Sequence, residues 1–359
     1  MNLVSSRIAI VGATGVVGRE ALCILEQRRV PASNIAALAS PRSVGLSIPY
    51  AGTTLTVREA TPAAFDGVPL AIFAASSHVA KELAPHAIEH GTTVIDNSSA
   101  FRLRPDVPLV VPEVNGSSQV ARLSEPGPRR PGLIANPNCS TIILLTAIEP
   151  LRRRFGLHSI NVATYQAVSG AGQAGLDALH REIAQHAQSR TPGEPAHKAP
   201  ESPFAEPCFL NVFSHNSTVD ALSGLNGEEQ KIIDESRKIL GDATLPITPT
   251  CVRVPVFRAH SQAITLRLQR PVSEAEIREA YAAFAEQGSL RIIDDRAANA
   301  FPTPLKAAGR DAVLVGRFRP DPARPVDSQG RSDGWCLFAC GDQLRKGAAL
   351  NAIQIADSL

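Results

Sequence analysis

Short apolar runs alternate with helical patterns in the first part of the chain. The run Ile8–Val11 leads through a glycine turn into apolar positions at helical spacing, which are Val16, Val17, Leu22, Ile24 and Leu25. Further apolar runs occupy 35–40, 69–76 and 92–99, and a helical pattern occupies 78–91. Strands that alternate with helices in this way predict a parallel sheet covered on both faces.

A different pattern fills the second part of the chain. Segments 158–170 and 261–269 alternate polar and apolar residues, which is typical of half-exposed antiparallel strands. Segment 272–288 is amphipathic, and Ser273 and Glu276 have the spacing of a helix capping box. These elements predict an α+β domain.

Two proline-rich stretches, 189–207 and 319–334, are interpreted as surface loops. The final segment, 344–359, has a helical pattern, and we expect this helix to pack on the first domain. The predicted fold is therefore a doubly wound, Rossmann-type parallel-sheet domain joined to an α+β domain.

The length of 359 residues favours two domains over a single core. We place the first domain at 1–135, completed by the C-terminal helix at 341–359, and the second domain at 136–340.

Composition and charge narrow the class of function. Apolar residues make up 44% of the chain and charged residues 19%, with a net charge of +2. This balance gives no reason to expect nucleic acid or a membrane surface as partner, whereas a small anionic substrate needs only a local group of cations. The absence of a long apolar run and of a leader-like N-terminus predicts a cytoplasmic protein.

The six cysteines do not have the spacing of a metal site or of a redox pair. They are Cys23, Cys139, Cys208, Cys251, Cys336 and Cys340. In a reducing compartment we expect reduced thiols and no bound metal.

Three glycines, Gly12, Gly15 and Gly18, lie between the first predicted strand and the first helix. Glycines at this junction let backbone N–H groups approach a pyrophosphate at the helix N-terminus. The spacing is G-x-x-G-x-x-G rather than G-x-G-x-x-G, so a tight turn without a ligand is the alternative.

The end of the second predicted strand bears on the choice of cofactor. Enzymes that use NAD usually have a carboxylate there for the ribose hydroxyls, but this chain has Ser40, Arg42 and Ser43. An arginine with hydroxyl groups suits a 2′-phosphate, which favours NADP. The alternative is that Arg42 is a solvated surface charge.

Cys139 follows a turn-prone sequence, Asn136–Asn138, and opens a long apolar stretch. A helix N-terminus stabilises a thiolate, which would make this thiol reactive. A buried and unreactive cysteine is the alternative when the position is considered alone.

Several separated motifs resemble those of the aspartate-β-semialdehyde dehydrogenase family. They are VGATGVVG, NSSAFR, ANPNCST, TYQAVSGAGQAG, EEQK, RVPVFRAHS and LRKGAALNAIQIA, in this order. The resemblance covers nearly the whole chain. It implies NADPH-dependent reductive dephosphorylation of L-4-aspartyl phosphate to L-aspartate 4-semialdehyde, in the biosynthesis of lysine, threonine and methionine.

The resemblance also implies roles for individual residues. Cys139 matches the nucleophile that forms an acyl-thioester, His260 the general acid and base, and Gln166 the residue that orients the intermediate. Arg253 matches the arginine for the substrate carboxylate, and Glu228 the glutamate for the amino group.

Further matches concern phosphate, the cofactor and assembly. The implied phosphate-binding residues are Arg102 and Lys231. The implied cofactor contacts are Thr14, Gly15, Val16, Val17, Arg42, Ser43, Ser169, Gly170 and Gln343. The family also implies a homodimer, with a tetramer left open.

Each substrate residue has a plainer interpretation as well. Glu228 and Lys231 are three residues apart on a helical pattern, where an exposed ion pair is the common case. Gln166 is otherwise an ordinary polar position, and His260 a hydrogen-bonded core histidine. Arg253 and His260 are seven apart, so a bend, for example at Pro255, is needed to bring them to one cleft.

The chain departs from the family pattern at two positions. Ala259 precedes His260 where glycine is common, and Leu46 replaces a lysine near Arg42. Two other functions stay open: an N-acetyl-glutamyl-phosphate reductase and a non-catalytic NADP-binding relative. The NPNCST sequence and the amine contact implied for Glu228 favour the aspartyl enzyme.

Overall fold

The computed structural model describes residues 1–119, 132–188, 196–286 and 288–359. These form two compact units. Unit 1 comprises Met1–Cys139, Lys238–Leu240 and Gly347–Leu359, and unit 2 comprises Ser140–Arg237 and Gly241–Lys346. The domain limits given from the sequence stay a prediction. Part of the predicted loop 189–207 lies outside the described residues.

The elements of the described residues have the following bounds. The helices are α1 Val16–Gln27, α2 Ser77–Glu89, α3 Cys139–Phe155, α4 Gly172–Gln188, α5 Gly227–Leu240, α6 Glu274–Ala285, α7 Pro304–Ala307 and α8 Leu350–Ser358. The strands are β1 Ile8–Val11, β2 Ile35–Ala39, β3 Ser47–Tyr50, β4 Thr53–Thr56, β5 Arg58–Glu59, β6 Leu70–Phe73, β7 Thr93–Asp96, β8 Leu133–Ala135, β9 Leu157–Gln166, β10 Phe213–Ser214, β11 Ile247–Arg253, β12 His260–Val272, β13 Leu290–Ile292, β14 Val313–Pro320 and β15 Ser332–Gly341. Within this part of the chain, no helix combines the length and apolar character needed to cross a membrane.

Unit 1 is built on a parallel sheet with the strand order β5-β2-β1-β6-β7-β8. Ile8 pairs with Ile35 on one side and with Leu70 on the other, so β1 is central. The strands of such a sheet are covered on both faces, which explains why β1 and β6 are buried along their whole length. The predicted parallel-sheet domain is confirmed.

The core of unit 1 includes the C-terminal helix. Leu350 and Ile353 of α8 pack in one cluster with Ile10 of β1 and Leu22 of α1. A π-helical turn, Arg345–Ala349, precedes α8, so the predicted helical segment 344–359 begins with an irregular turn.

Unit 2 is built on a mixed sheet with the order β10-β11-β9-β12-β15-β14-β13. Strands β9 and β12 are antiparallel, as predicted, but β11 runs parallel to β9. The predicted strand 158–170 ends early, at Gln166, because a 3-10 turn follows at Val168–Ala171. Helix α6 has the predicted capping box, with Ser273 and Glu276 each accepting from the other's backbone N–H.

Candidate active site

The glycine loop of unit 1 joins β1 to α1. A Cβ at Gly12 would lie 2.5 Å from the carbonyl oxygen of Ala74, and one at Gly18 would lie 2.2 Å from that of Gly12. Both glycines are therefore required by the packing of the chain itself. A Cβ at Gly15 would meet only the Gly12 oxygen, at 3.4 Å, which is ordinary contact. The chain leaves open space at Gly15, beside the N-terminus of α1.

The remaining cofactor candidates of unit 1 surround this loop and the end of β2. Thr14 lies in the turn, and Val16 and Val17 form the first turn of α1. Arg42 and Ser43 lie in a 3-10 turn, Pro41–Ser43, directly after β2. The Arg42 side chain is exposed. These positions are those that a nucleotide bound across a first βα turn would meet.

Cys139 is the first residue of α3 and is partly exposed. The next residue, Ser140, is buried, and its carbonyl accepts a hydrogen bond from Gln262 at 2.9 Å. The helix continues as a buried, mostly apolar segment through Leu151. The cysteine predicted to begin a buried helix does so.

A network of side-chain amides holds the loop that leads into Cys139. Asn351 of α8 donates to Oδ1 of Asn136 at 2.7 Å and to the carbonyl of Val110 at 3.0 Å. Asn136 donates in turn to Oδ1 of Asn97 at 2.9 Å. Both Asn136 and Asn351 are buried, so each lost bond would leave a polar group without water.

Arg102 is tied to the same loop. Its Nε donates to the carbonyl of Asn136 at 2.9 Å, and its Nη2 donates to that of Asn97 at 2.6 Å. The carbonyl of Arg102 accepts from Nζ of Lys238 at 2.7 Å, and Lys238 also reaches the carbonyls of Arg104 and Val107. The predicted phosphate-binding arginine therefore also supports the chain before Cys139.

Three predicted residues of unit 2 meet at one end of its sheet. Gln166 ends β9 and pairs with Arg253, which ends the parallel strand β11. His260 begins β12, which is antiparallel to β9. The chain leaves the sheet between Arg253 and His260, so the bend required by their seven-residue offset is a loop that contains Pro255. All three side chains are buried.

Arg253 is held by several acceptors. Its Nη1 donates to the carbonyl of Ala167 at 2.6 Å. Its Nη2 donates to Nε2 of His215 at 2.9 Å and to Oδ1 of Asn216 at 3.0 Å. The guanidinium also lies 5.3 Å from the ring centre of Phe204. These contacts fix the direction of a fully buried cation.

The proton of His260 is on one defined nitrogen. The backbone N–H of Ala167 donates to Nδ1 at 3.0 Å, so Nδ1 is an acceptor. Burial lowers the pKa of His260 to about 3, and the charge of Arg253 acts in the same direction. The ring is therefore neutral near neutral pH and carries its proton on Nε2.

Glu228 and Lys231 lie on one face of α5, as predicted. Nζ of Lys231 donates to Oε2 of Glu228 at 3.3 Å. Glu228 is buried and also accepts from Nε2 of Gln166 at 3.4 Å. The pair is therefore not an exposed surface ion pair, because only its lysine reaches solvent.

Ser169, Gly170 and Gln343 lie beside His260. The Gln343 side chain accepts from the N–H of Ala259 at 2.8 Å and donates to Oγ of Ser169. A Cβ at Gly170 would approach Nη1 of Arg253 to 3.2 Å and Cε1 of His260 to 3.3 Å. Glycine keeps that approach open.

Ala259 has a φ of +74°, which L-residues other than glycine seldom adopt. Its methyl group is buried in a small cluster with Ala307, Leu314 and Cys340. This explains how the chain tolerates alanine where the family commonly has glycine: the apolar packing offsets the backbone strain.

Sequence reasoning missed four residues that hold the predicted ones. His215 and Asn216 contact Arg253, and Asn136 and Asn351 hold the loop before Cys139. Asn136 lies within the ANPNCST motif, so the sequence did mark its position. Asn351 lies within the LRKGAALNAIQIA motif and is marked in the same way, whereas no motif includes His215 or Asn216, because their partner Arg253 is distant in sequence.

Comparisons with known proteins agree with this arrangement. Residues 7–122 match the model of the semialdehyde dehydrogenase NAD binding domain, and residues 148–346 match that of the semialdehyde dehydrogenase dimerisation domain. An aspartate-semialdehyde dehydrogenase from Synechocystis sp. is 40% identical over 98% of this chain and 97% of its own.

Two solved structures extend the comparison. Aspartate semialdehyde dehydrogenase II from Vibrio cholerae, complexed with ASA, is 36% identical with a TM-score of 0.86, covering 98% of this chain and 97% of its own. The Candida albicans enzyme with NADP is 25% identical with a TM-score of 0.70, covering 99% and 98%.

Proposed function

This chain belongs to the aspartate-semialdehyde dehydrogenase family, and from that premise we propose that it catalyses the reductive dephosphorylation of L-4-aspartyl phosphate to L-aspartate 4-semialdehyde. The observation that carries the proposal is the buried cluster of Arg253, Glu228 and His260 in unit 2. An amino-acid substrate needs a cation for its carboxylate and an anion for its ammonium group, and this cluster supplies both.

Cys139 is proposed as the nucleophile. Its thiolate would be stabilised at the start of α3. The thiolate attacks the acyl carbon of the substrate, the carbon–oxygen bond to phosphate breaks, and a thioester forms as phosphate leaves. When bound, the reduced cofactor supplies the hydride for this carbon. The carbon–sulfur bond then breaks, which releases the aldehyde and restores the thiolate.

His260 is proposed to act through Nε2–H. Both the attack on the acyl phosphate and the reduction of the thioester place negative charge on the carbonyl oxygen. A neutral imidazole whose Nδ1 already accepts from Ala167 can direct Nε2–H at such an oxygen. Gln166, which borders Arg253 in the sheet, is proposed to orient the same intermediate.

The substrate's charged groups would have separate partners. Arg253 is proposed to bind the carboxylate and Glu228 the ammonium group. Arg102 and Lys231 are proposed to bind phosphate, as a buried and a partly exposed cation respectively. A free ammonium group opposite a buried carboxylate favours an aspartyl over an N-acetyl-glutamyl substrate, because an acetylated amine carries no charge.

Unit 1 fits a nicotinamide cofactor at its glycine loop. The chain itself gives no steric reason for glycine at position 15, and the space left there suits a phosphate on the N–H groups of α1. Thr14, Val16 and Val17 would border that phosphate. Arg42 and Ser43 would bind the 2′-phosphate that distinguishes NADP from NAD.

In unit 2, Ser169, Gly170 and Gln343 are proposed as further cofactor contacts, because Gly170 leaves space beside His260. The match to a dimerisation domain over residues 148–346 supports a homodimer.

The test is the reverse reaction, followed as reduction of NADP by L-aspartate 4-semialdehyde. Turnover is expected to require phosphate, and N-acetyl-L-glutamate semialdehyde is expected to react at least about 100-fold less efficiently, since its amine cannot pair with Glu228. Phosphate-independent turnover, or equal use of both aldehydes, would contradict the proposal.

Arg42→Ala tests the cofactor assignment in the same assay. Loss of a charge-assisted contact should raise the KM for NADP by roughly tenfold or more while the KM for NAD changes little. Equal changes for the two cofactors would remove the argument for 2′-phosphate recognition.

A further inference from the structure

His215 lies among the proposed substrate-binding residues of unit 2. Its Nε2 accepts a hydrogen bond from Nη2 of Arg253 at 2.9 Å. The charges of Glu228, Arg253 and Lys231 all act on the pKa of its imidazole. No motif in the sequence pointed to this histidine.

The protonation state of His215 follows from its partners. A guanidinium can only donate, so Nε2 must be an acceptor, and the proton of the neutral ring is on Nδ1. That nitrogen lies 3.1 Å from Oγ of Ser217 and also faces the backbone N–H of Ser217 at 3.3 Å. The two ring nitrogens therefore both face a donor, and we assign the acceptor role to Nε2 because its donor, the guanidinium, is charged and closer, at 2.9 Å. Loss of hydration lowers the pKa of His215 to about 4, with Arg253 acting in the same direction. The ring is therefore neutral near neutral pH, and its Nε2 is the nitrogen that accepts from Arg253.

A neutral acceptor is well suited to hold an arginine that must bind an anion. A carboxylate at position 215 would hold the guanidinium but would also compensate its charge. An imidazole nitrogen fixes the direction of Nη2 without adding negative charge, and it costs no reorganisation when the ligand arrives.

Ser217 links this histidine to the start of α5. Its Oγ accepts from the N–H of Glu228 at 3.0 Å and lies 3.4 Å from Oδ1 of Asn226, the N-cap of the helix. The same hydroxyl faces Nδ1 of His215. One short segment, residues 215–217, therefore contacts both Arg253 and the helix turn that carries Glu228.

We propose that His215 is a positioning residue that orients the guanidinium of Arg253 toward the carboxylate of an amino-acid substrate. The inference rests on the proposed function for the identity of that substrate. His215 acts through Arg253 and is not assigned a contact with the reacting atoms.

The first test compares His215→Leu with His215→Gln in steady-state kinetics with L-aspartate 4-semialdehyde. Leucine removes the acceptor, and the KM for the semialdehyde should rise roughly 10- to 100-fold, as expected for a lost hydrogen bond to a charged group. Glutamine provides an amide oxygen as acceptor and should recover most of this loss. The KM for phosphate should stay close to that of the wild type in both variants.

Matched controls are His158→Leu and His158→Gln, because His158 is an exposed histidine of β9 in the same unit. Both should leave the KM for the semialdehyde unchanged. If His215→Leu also leaves the KM for the semialdehyde unchanged, the inference is wrong. It is also wrong if His215→Leu raises the KM for phosphate as much as the KM for the semialdehyde. If His215→Leu does not fold, Ser217→Ala provides the test, since it removes the acceptor of Nδ1–H, and an unchanged semialdehyde KM would overturn the inference.

A second measurement does not depend on turnover. Nitrogen NMR of histidine-labelled protein near neutral pH should show His215 as a neutral ring protonated on Nδ1. Arg253→Lys should shift the Nε2 resonance of that ring. A proton on Nε2 would overturn the assignment even in an active enzyme. A correct tautomer in an enzyme that uses neither aldehyde would instead contradict the proposed function.

Discussion

The loop that leads into Cys139 and the cluster around Arg253 are both buried and polar, but they are held in different ways. In unit 1, side chains such as Asn351 and Arg102 donate to the amide or backbone carbonyl groups of the loop. In unit 2, His215 and Asn216 accept from Arg253 and so hold a charged side chain.

This difference indicates that the two regions contribute differently to stability and to ligand affinity. The bonds of unit 1 fix the backbone ahead of Cys139, the proposed nucleophile, so their loss should appear first as loss of stability. The bonds of unit 2 fix a charge that a ligand would meet, so their loss should appear first as loss of affinity. Variants in the two regions therefore separate the two effects.

Arg253→Lys should give the largest change in ligand affinity. Lysine keeps the charge but loses the planar fork that suits a carboxylate, so the KM for L-aspartate 4-semialdehyde should rise roughly 10- to 100-fold. The KM for phosphate should stay near normal. Steady-state kinetics with each ligand varied in turn provides the measurement.

Lys231→Ala is the matched variant on the phosphate side. It should raise the KM for phosphate and leave that for the semialdehyde close to the wild-type value. If both variants shift the two constants alike, the division of the anions between Arg253 and Lys231 is mistaken.

Asn351→Ala should mainly destabilise the protein. It removes the donors to Val110 and Asn136 inside unit 1, and buried acceptors without partners cost about 1–3 kcal/mol each. The free energy of unfolding, measured by chemical denaturation, should fall by about 1–3 kcal/mol for each of these acceptors. The KM for the semialdehyde should change little.

Gln354→Ala is the control on the same helix, since that side chain is only partly buried. It should change the free energy of unfolding by less than about 0.5 kcal/mol. If Asn351→Ala greatly raises the KM for the semialdehyde and leaves the free energy of unfolding unchanged, the two regions do not differ in the way described.

The pH dependence of stability provides a separate test of His215. The pKa of His215 is lowered from 6.5 to about 4, first by loss of hydration and then by Arg253. Between these values the unfolded chain binds a proton that the folded protein does not, so stability falls as pH is lowered. The slope is about 1.4 kcal/mol per pH unit for one histidine.

His215→Gln removes this contribution, so its unfolding free energy should depend less steeply on pH than that of the wild type between about pH 4 and 6.5. The difference between the two slopes isolates His215 from other groups that titrate in the same range. Identical slopes would show that the ring is not held neutral by the folded protein.

Sequence periodicity predicted the elements that are local. The central strands of unit 1 and the capping box of α6 follow from apolar runs and from residues three apart. The hairpin of β3 and β4 was not predicted, because its alternation covers only four residues in each strand. Strand β11 was also missed, and so was its parallel pairing with β9, since such pairing joins distant parts of the chain.

In the candidate site, too, local features could be predicted from the sequence, whereas features that depend on tertiary contacts could not. Cys139 stands out because a helix start is a local feature. Glu228 could not be recognised as buried from the sequence, because its burial depends on the packing of α5. The tautomer of His260 depends on Ala167, which lies 93 residues away in sequence, so only the fold defines it.

The most direct test of the central claim is to trap the thioester on Cys139. The enzyme is incubated with L-aspartate 4-semialdehyde and oxidised NADP without phosphate. The masses of the intact protein and of its peptides are then measured by mass spectrometry. The account predicts one aspartyl group on the Cys139 peptide, and added phosphate should remove it. Cys139→Ala should not form this adduct. Cys23→Ala, which alters an exposed cysteine, should still form it. An active enzyme with no adduct, or with the adduct on another cysteine, would contradict the account.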